Sequence, residues 1–344
     1  IRFPSGDEAV DSVRVHGFVS VATAPGPVVN AIAPWPRGTS TALGFQDGRL
    51  VLLDYRLNTS TLLAPDTGLG HGCQQWPVPS ATEEGLVAVS SLIGGGGNSS
   101  TCAPLIAVPV TPTAAPPDTG PPPYSIWPAM HLKRGHWLIS FKYDFRIFRR
   151  DSAGGFTELV RNASCNQPGG FTISPRSDRV VPVGCSSTAG IPVFDPRAPG
   201  VAYVLRALRY TDTGAFSDGG DTLFQAGGDT LGLHGLFAID AATGQVLAGS
   251  PFEVFAYDVR LDPGGKWIYV AGAAGGMSGR PIVAVFDRGT LARVATLREP
   301  SGLISLPVLR GDLEIVFGAA DRRLYLALND TSNPVQVLQF DLMP

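Results

Sequence analysis

The amino-acid sequence predicts an all-β fold, a seven-bladed β-propeller. A unit of roughly 45 residues recurs along the chain, and each copy holds short apolar segments of strand length separated by turn residues. No copy spaces its apolar residues as a helix does. The 42 glycines and 30 prolines suit a chain that turns often. Four short strands in every unit are typical of a propeller blade.

The clearest copy of the unit spans residues 254–298. Asp262-Pro263-Gly264-Gly265 predicts a turn, and the apolar run at 267–270 predicts the second strand after it. A third strand at 281–287 and a fourth at 291–297 complete this copy. The predicted blade is therefore a sheet of four consecutive strands.

The second and third strands recur in the other copies. The second strand is predicted at 41–45, 86–89, 137–141, 180–183, 223–226, 267–270 and 324–327. The third strand ends in an acidic residue at Asp54, Asp151, Asp195, Asp240, Asp287 and Asp341. Aspartate side chains bond to the backbone two residues further on, so these residues are interpreted as turn formers. The copies number seven.

The first and last segments of the chain complete one another. The seventh copy ends after its third strand, at Asp341, whereas residues 12–21 alternate apolar and polar side chains ahead of the first copy. We expect this N-terminal strand to pair with the last blade and close the ring, because closure hides the sheet edges. Residues 1–344 then form a single domain.

The segment 109–128 interrupts the second blade. It reads PVTPTAAPPDTGPPPYSIWP, which holds too many prolines to extend a strand ladder. We predict a Pro-rich, extended insertion within the domain. It can present a ligand to a partner or carry glycans, and the alternative is a simple solvated loop.

The four cysteines fall into two close pairs. Cys73 and Cys102 belong to the second copy, and Cys165 and Cys185 to the fourth. Four cysteines allow three pairings. We predict Cys73–Cys102 and Cys165–Cys185, because bridges within a blade need the least chain movement. The alternative is four reduced, buried thiols.

N-glycosylation sequons predict the compartment. Four of the seven asparagines begin Asn-x-Ser/Thr, and all four fall in predicted loops or turns: Asn58, Asn98, Asn162 and Asn329. Together with the cysteine pairs, they favour an extracellular or cell-surface glycoprotein. The alternative is a bacterial periplasmic protein with fortuitous sequons.

Composition excludes several functions. The net charge of −3 argues against nucleic-acid binding, and no apolar run of about 18 residues offers a membrane span. We expect no cofactor and no metal, since no Cys-x-x-Cys, calcium loop or phosphate loop occurs. His131 and His136 have no third ligand beside them in the sequence. No catalytic motif is recognisable.

A basic, aromatic segment marks the third copy. Between residues 124 and 161 there are seven basic and three acidic side chains. The candidate partner-binding residues are Lys133, Arg134, Lys142, Arg146, Arg149 and Arg150. Interleaved with aromatics, they could hold an acidic protein or a sulfated glycan. The alternative is a solvated blade face.

The copy at 254–298 resembles the repeats of the YVTN/lactonase-like seven-bladed propellers. The resemblance rests on residues 262–266, 269–271 and 290–291, and it weakens before residue 125. It implies the architecture. That family includes lactone-hydrolysing enzymes and non-enzymatic surface proteins, so it implies no particular activity.

Three functional hypotheses follow. Only 16% of residues are charged, against a typical 25% or so. A weakly charged surface favours a non-catalytic module that binds other proteins in an extracellular assembly. The alternatives are a lactonase-like hydrolase using the central channel and a glycan-binding lectin with sites between blades.

Overall fold

The structure is a computed structural model that describes most of the chain from residue 15 to residue 342. The described residues are 15–20, 29–34, 40–45, 50–54, 59–64, 73–79, 86–93, 106–109, 118–119, 126–132, 136–141, 145–153, 155–162, 170–176, 178–198, 200–252, 255–274, 279–298, 312–318, 323–329 and 336–342. Side chains are described chiefly within 146–161 and 171–298. All regular secondary structure in this part of the chain is β-strand.

The described strands form seven antiparallel sheets. The last sheet includes the first strand, β1 (Val15–Ser20). The first three sheets are β2 (Val29–Pro34), β3 (Ser40–Phe45), β4 (Leu50–Asp54) and β5 (Thr59–Ala64); β6 (Cys73–Pro79), β7 (Leu86–Ile93), β8 (Ile106–Pro109) and β9 (Asp118–Thr119); and β10 (Ile126–Leu132), β11 (His136–Phe141), β12 (Phe145–Arg150) and β13 (Phe156–Asn162).

A short strand that lies within the fourth sheet's part of the sequence belongs to the fifth sheet. Their strands are β14 (Gly170–Ile173), β15 (Val180–Val183), β16 (Cys185–Ser186), β17 (Ile191–Phe194), β18 (Val201–Leu205), β19 (Leu208–Phe216), β20 (Thr222–Asp229), β21 (His234–Asp240) and β22 (Val246–Pro251). The fourth sheet has the order β14-β15-β17-β18, and the fifth has β16-β19-β20-β21-β22. The short strand β16 therefore leaves its sequence neighbours and pairs with β19 of the next sheet.

The last two sheets contain the remaining strands. They are β23 (Phe255–Leu261), β24 (Trp267–Ala274), β25 (Arg280–Asp287) and β26 (Arg293–Arg298); and β27 (Asp312–Gly318), β28 (Arg323–Asn329) and β29 (Gln336–Asp341) with β1. β1 pairs antiparallel with β29, where Phe18 lies opposite Leu338 and Ser20 opposite Gln336. The pairing expected for residues 12–21 is therefore present over Val15–Ser20.

The second strand of each unit is confirmed. The predicted segments fall within β3, β7, β11, β15, β20, β24 and β28. Where the side chains of these strands are described, the cause is burial on both faces. In β20, Leu223 belongs to a core cluster shared with the fourth sheet, while Phe224 belongs to a cluster shared with the sixth. Successive side chains point to opposite faces, so a sheet packed on both sides needs a continuous apolar run.

The core lies between neighbouring sheets. Phe194 of β17 and Phe237 of β21 are fully buried in the cluster between the fourth and fifth sheets. In the next cluster, the rings of Phe252 and Phe286 meet edge to face with centroids 5.9 Å apart. Tyr269 of β24 belongs to a third cluster, which reaches the sheet of β27 and β28. Each sheet with described side chains thus depends on its neighbours for its apolar contacts.

The aspartates at the third-strand exits are turn formers where their side chains are described. Asp151 Oδ1 accepts the N–H of Ala153, and Asp240 Oδ1 accepts that of Ala242. The same bond joins Asp195 to Arg197 N–H, at 2.9 Å. Backbone donors on these turns favour the charged carboxylate. The sequence interpretation of these residues is therefore confirmed.

The turns before the second strands repeat a serine–aspartate pair. The Ser174 hydroxyl donates to Asp178 and accepts the N–H of the same residue. Ser217 donates to Asp221 in the fifth sheet and accepts the N–H of Thr222. Each serine fixes the hairpin entry to its second strand, because it satisfies donors that the turn leaves unpaired.

Candidate functional site

An open cavity of about 880 Å³ lies at one end of the fifth sheet. Tyr210 near the start of β19, the end of β20 and His234 at the start of β21 line it. Phe255, the first residue of β23, contributes from the sixth sheet, and Gly184 contributes from the link into β16. The cavity therefore collects residues from two neighbouring sheets and from the link between the fourth and the fifth. Its volume is within the range of about 300–1,000 Å³ that is usual for ligand sites.

A tight hairpin overhangs the cavity. The Asp229 carboxylate ends β20, and its Oδ1 accepts the N–H of Leu231 at 2.8 Å and that of Leu233 at 2.9 Å. Asp229 N–H also donates to Leu233 carbonyl at 3.0 Å. Gly232 has a φ of 80°, a left-handed conformation that glycine adopts without strain. The four-residue loop is therefore held in one conformation by its own backbone.

This hairpin exposes two leucines. Leu231 is 76% exposed and Leu233 is 46% exposed, and Leu231 also lines the cavity. Single exposed apolar residues are ordinary on a protein surface. Here two of them lie on one short hydrogen-bonded loop beside the cavity, and we call this pair of side chains the Leu231/Leu233 surface.

Aromatic rings form the inner wall of the cavity. The Tyr210 ring lies 6.0 Å from the imidazole of His234 and 6.3 Å from the ring of Phe255. Phe255 in turn meets Tyr257 edge to face at 5.1 Å. Rings at these separations gain favourable quadrupole contacts and hold one another in place. The wall is therefore a rigid apolar surface that a ligand can contact.

A buried carboxylate supports this wall from behind. Asp212 is only 8% exposed, and its Oδ2 accepts the N–H of Ala256, next to Phe255, at 3.1 Å. Its Oδ1 is buried without a hydrogen-bond partner. Burial raises the pKa of Asp212 to about 6, although Ala256 N–H, the Tyr210 hydroxyl and the charge of His234 act in the opposite direction. Asp212 connects the fifth sheet to the sixth and is not among the residues that line the cavity.

Tyr210 shares this environment. Burial raises the pKa of its hydroxyl, and the negative charge of Asp212 adds to the effect. The phenol therefore stays protonated over the physiological range. It can donate a hydrogen bond but is a poor base.

The rim of the cavity carries one exposed side chain with a permanent charge, Arg209. His234 is also exposed and also lines the cavity. The carboxylate of Asp229, which also lines the cavity, is buried and engaged by two backbone donors. The charge that a ligand meets first is therefore positive.

One of the four cysteines, Cys185, has a described side chain. Cys185 is fully buried and disulfide-bonded. Its N–H donates to the hydroxyl of Thr211 at 3.3 Å, and this hydroxyl in turn donates to the carbonyl of Pro182 at 2.9 Å. Cys185 thus lies on β16, directly beside the strand that carries Tyr210. Cys102 and Cys165 lie outside the described residues, as does the side chain of Cys73, so both pairings stay predictions.

The sequons lie at the margins of the described structure. Asn162 ends β13 and Asn329 ends β28, so these two occupy strand ends rather than the loops that the sequence predicted. A β-strand in this fold continues further toward the loop than its apolar run, because backbone pairing does not need an apolar side chain. Asn58 and Asn98 lie outside the described residues.

The predicted basic segment is only partly described. Arg146 pairs with Glu158 across β12 and β13, with Nη1 3.3 Å from Oε2. Arg149 is exposed on the same strand. The side chains of Lys133, Arg134, Lys142 and Arg150 lie outside the described residues. The Pro-rich insertion at 109–128 is described only at its strand residues.

Sequence reasoning did not identify the cavity. Tyr210, His234 and Phe255 belong to three different strands and share no motif. One local signal is present in the sequence. Leu231-Gly232-Leu233 places two large apolar residues at the tip of a turn, where polar residues are usual.

The arrangement suits binding better than bond cleavage. It offers aromatic and aliphatic surface, one exposed arginine at the rim and a phenol that stays protonated. Within the described part of the chain, no group of three or more His, Cys, Asp or Glu side chains could hold a metal ion. None of the described segments is a helix of the length and apolarity needed to cross a membrane.

Comparison with known proteins gave no match: neither a protein-family model nor a curated protein sequence matches the chain. The functional argument therefore rests on the residues and their geometry.

Proposed function

We propose that residues 1–344 form one closed seven-bladed β-propeller, with architecture like that of the YVTN/lactonase-like family. Three features support it. The long first strands β19, β23 and β27 lie side by side in consecutive sheets. β2 lies beside β27 of the last sheet as well as beside β6 of the next one. Strands from both ends of the chain, β1 and β29, are paired in one sheet. A ring accounts for all three, and it removes exposed edges.

On this scaffold the protein is a non-catalytic interaction module that binds other proteins. The observation that carries this proposal is the Leu231/Leu233 surface above the aromatic cavity. An apolar surface is costly to leave in water and gains free energy when a partner covers it. An apolar centre with a charged rim is the usual anatomy of a protein interface.

The rigidity of the hairpin strengthens the argument. A loop that is already ordered loses little conformational entropy on binding, so more of the contact energy appears as affinity. Asp229 provides this order through its two backbone bonds. The loop that carries Leu231 and Leu233 is thus ordered before a partner binds.

We further propose that the module acts outside the cell or at its surface, with glycans on Asn58, Asn98, Asn162 and Asn329 (or in the periplasm, if the source is bacterial). The disulfide at Cys185 supports an oxidising compartment. Intact mass before and after enzymatic deglycosylation tests the glycans. An unshifted mass of protein purified from its natural source would remove this part of the proposal.

Site-directed photo-crosslinking tests the interaction itself. A photo-crosslinking amino acid replaces Leu233, which is 46% exposed, or, as a matched control, Val201 on β18, which is 45% exposed. We expect Leu233 to capture a discrete partner from extracts of the native source. Excess wild-type protein should compete, whereas protein with Leu231→Ser and Leu233→Ser should not. Equal capture from Val201, or competition by the double variant, would contradict the proposal.

A hydrolase is the second candidate, because perturbed pKa values near a cavity are common at active sites. Asp212 and Tyr210 are such groups. However, the Asp212 carboxylate is buried behind the wall, where a substrate in the cavity cannot reach it without moving Tyr210. Turnover of a panel of lactones that disappears with Asp212→Asn in a folded protein would favour this reading.

A lectin is the third candidate, and one geometric feature favours it. A second cavity, of about 570 Å³, lies between the fifth and sixth sheets, and Lys266, Arg288 and the exposed Leu247 are among its lining residues. Sites between blades are the expectation for this function. Binding on a glycan array that is lost with Arg288→Ala would support it.

A further inference from the structure

The geometry points to the kind of partner that the Leu231/Leu233 surface binds: we infer that it binds a peptide segment of another protein in which an acidic residue adjoins a large apolar residue. The apolar side chain enters the cavity against Tyr210 and Phe255, and the carboxylate pairs with Arg209 at the rim. This inference rests on the proposed protein-binding function and makes it more specific.

The first step is the chemistry of the cavity. Its wall is formed by the rings of Tyr210 and Phe255, whose centroids lie 6.3 Å apart, and Leu231 extends the apolar surface to the rim. Such a wall selects aromatic and aliphatic groups. The exposed leucines also argue against a sugar as occupant, since a polyhydroxylated ligand would leave their apolar area without a matching surface.

The second step is the charge at the entrance. Arg209 of β19 is exposed and lines the cavity. His234, the first residue of β21, is also exposed and also lines it. The two carboxylates nearby are not available to a ligand. Asp229 accepts two backbone N–H groups of its own loop, and Asp212 is buried behind Tyr210 with Oδ2 bonded to Ala256. Arg209 is therefore the exposed charged side chain with which a ligand at the rim can pair directly.

The third step is the fit of a carboxylate to Arg209. A guanidinium presents parallel N–H donors that match the two oxygens of a carboxylate. Arg209 immediately precedes Tyr210 on β19, at a register shift between Leu208 and Tyr210, and both Arg209 and Tyr210 line the cavity. A peptide that places an acidic residue next to an apolar one can therefore contact both.

A displayed library of short random peptides tests the inference. It is selected against four folded proteins: the wild type, Arg209→Glu, Arg206→Glu, and the double variant Leu231→Ser, Leu233→Ser. Arg206 is exposed three residues earlier but does not line the cavity, so its variant controls for net charge. Circular dichroism and thermal melting establish that each protein is folded before selection.

The expected results are specific. Peptides selected by the wild type and by Arg206→Glu should place Asp or Glu beside Phe, Trp, Leu or Ile. Arg209→Glu should select Lys or Arg in place of the acid. A synthetic peptide of the acidic class should bind Arg209→Glu at least about tenfold more weakly than the wild type.

The inference and the proposed function fail differently. Wild-type selection of apolar peptides without acidic residues, or an unchanged preference in Arg209→Glu, overturns the acidic-partner inference and leaves protein binding in place. A wild type that selects no peptides, or a double variant that selects the same peptides as the wild type, overturns the docking surface itself.

Discussion

The Asp212 carboxylate in β19 accepts the backbone N–H of Ala256 in β23, at 3.1 Å. Asp258 in β23 repeats the contact one sheet further on, with Ile315 N–H in β27 at 2.8 Å. The two carboxylates differ in their second partner. Asp258 Oδ2 also accepts from Arg260 Nε at 3.0 Å, whereas Asp212 Oδ1 has no hydrogen-bond partner. One contact between sheets is thus charge-compensated and the other is not.

We predict that Asp212→Asn stabilises the protein at neutral pH. The carbonyl of asparagine can still accept Ala256 N–H, and its amide can donate to the Tyr210 hydroxyl, while the cost of burying a charge disappears. The folded pKa of Asp212 is about 6 and its ordinary value is 3.8. The folded wild type therefore binds more protons between these values, so its free energy of unfolding falls as the pH rises from about 4 to 6.

The size of this effect is at most about 3 kcal/mol, since each pKa unit corresponds to about 1.4 kcal/mol. Denaturant unfolding of both proteins from pH 4 to pH 8 measures it. The increase in the free energy of unfolding caused by Asp212→Asn should be smallest at pH 4 and should reach its full size above pH 7. An asparagine variant that is less stable than the wild type at pH 7 would show that the negative charge stabilises the fold.

Asp258→Asn is the matched comparison, and we predict the opposite sign. The substitution removes the ion pair with half-buried Arg260, and it leaves the guanidinium without its carboxylate. We expect a loss of about 1–3 kcal/mol at pH 7, because the acceptor facing Arg260 loses its negative charge near the core. Equal stabilisation by both substitutions would indicate that general charge repulsion, rather than the local environment, controls them.

The fold could be predicted from the sequence wherever the residues of a single strand or turn form a recognisable pattern. The run 267–270 is apolar throughout because Ile268 and Tyr269 belong to different core clusters on opposite faces of β24. Asp240 and Asp287 likewise indicate turns in the sequence, because their hydrogen bonds reach only two or three residues along the chain. Patterns of this kind involve residues that are close together in the chain, so they can be recognised in a single sequence.

The candidate site could not be read in the same way, because it depends on distances between sheets. Asp212 and Ala256 are 44 positions apart in the chain, and nothing in the sequence indicates that the two are bonded. Leu291 is another case. It has a φ of 55° in a turn where the fifth sheet uses Gly244, and it is only 2% exposed. Burial in the core offsets the backbone strain there, and a sequence pattern cannot show that.

Gly244→Ala should destabilise the protein by more than the strain of a left-handed backbone alone explains. Gly244 has a φ of 75°, and a Cβ there would lie 2.6 Å from Cδ2 of the Tyr203 ring. That ring cannot retreat freely, because its hydroxyl donates to the Ala241 carbonyl at 2.8 Å. We expect a loss of about 2–4 kcal/mol in chemical denaturation, from strain and overpacking together.

Gly232→Ala separates these two causes. Gly232 also has a positive φ, of 80°, but a Cβ there would meet no atom within 4 Å. Its substitution should therefore cost only the backbone strain, about 1 kcal/mol. If both variants lose the same free energy, the contact with Tyr203 contributes nothing.

The Asp287 turn should tolerate asparagine and not alanine. Asp287 Oδ1 accepts the N–H of Thr290 at 2.8 Å and the Thr290 hydroxyl at 2.9 Å. Asparagine keeps an acceptor at this position, whereas Asp287→Ala leaves both donors without it, which we expect to cost about 1 kcal/mol. Thermal melting at pH 7 of the two variants, compared with the wild type, measures the difference.

The acid response of this turn provides a further check. The Thr290 N–H and hydroxyl hold the pKa of Asp287 below its ordinary value of 3.8. The stabilisation is thus present above that value and lost as the pH falls through the folded pKa. The gap between the wild type and Asp287→Ala should narrow below about pH 4. A gap that stays constant down to pH 2 would mean that the carboxylate charge plays no part.

The pairing of β1 with β29 predicts that the first strand acts as a separable closing element. Removal of residues 1–20 would expose the edge of β29, where Leu338 and Gln336 now face Phe18 and Ser20. We expect a lower Tm and self-association in gel filtration, because an unpaired strand edge recruits other chains. A synthetic peptide of residues 12–21 should restore the Tm in a concentration-dependent way, since a ligand of the folded state stabilises it by mass action. The same peptide with Phe18→Asp serves as the control. A truncated protein with unchanged Tm and monomeric elution would contradict both the role of β1 and the closed ring that we propose.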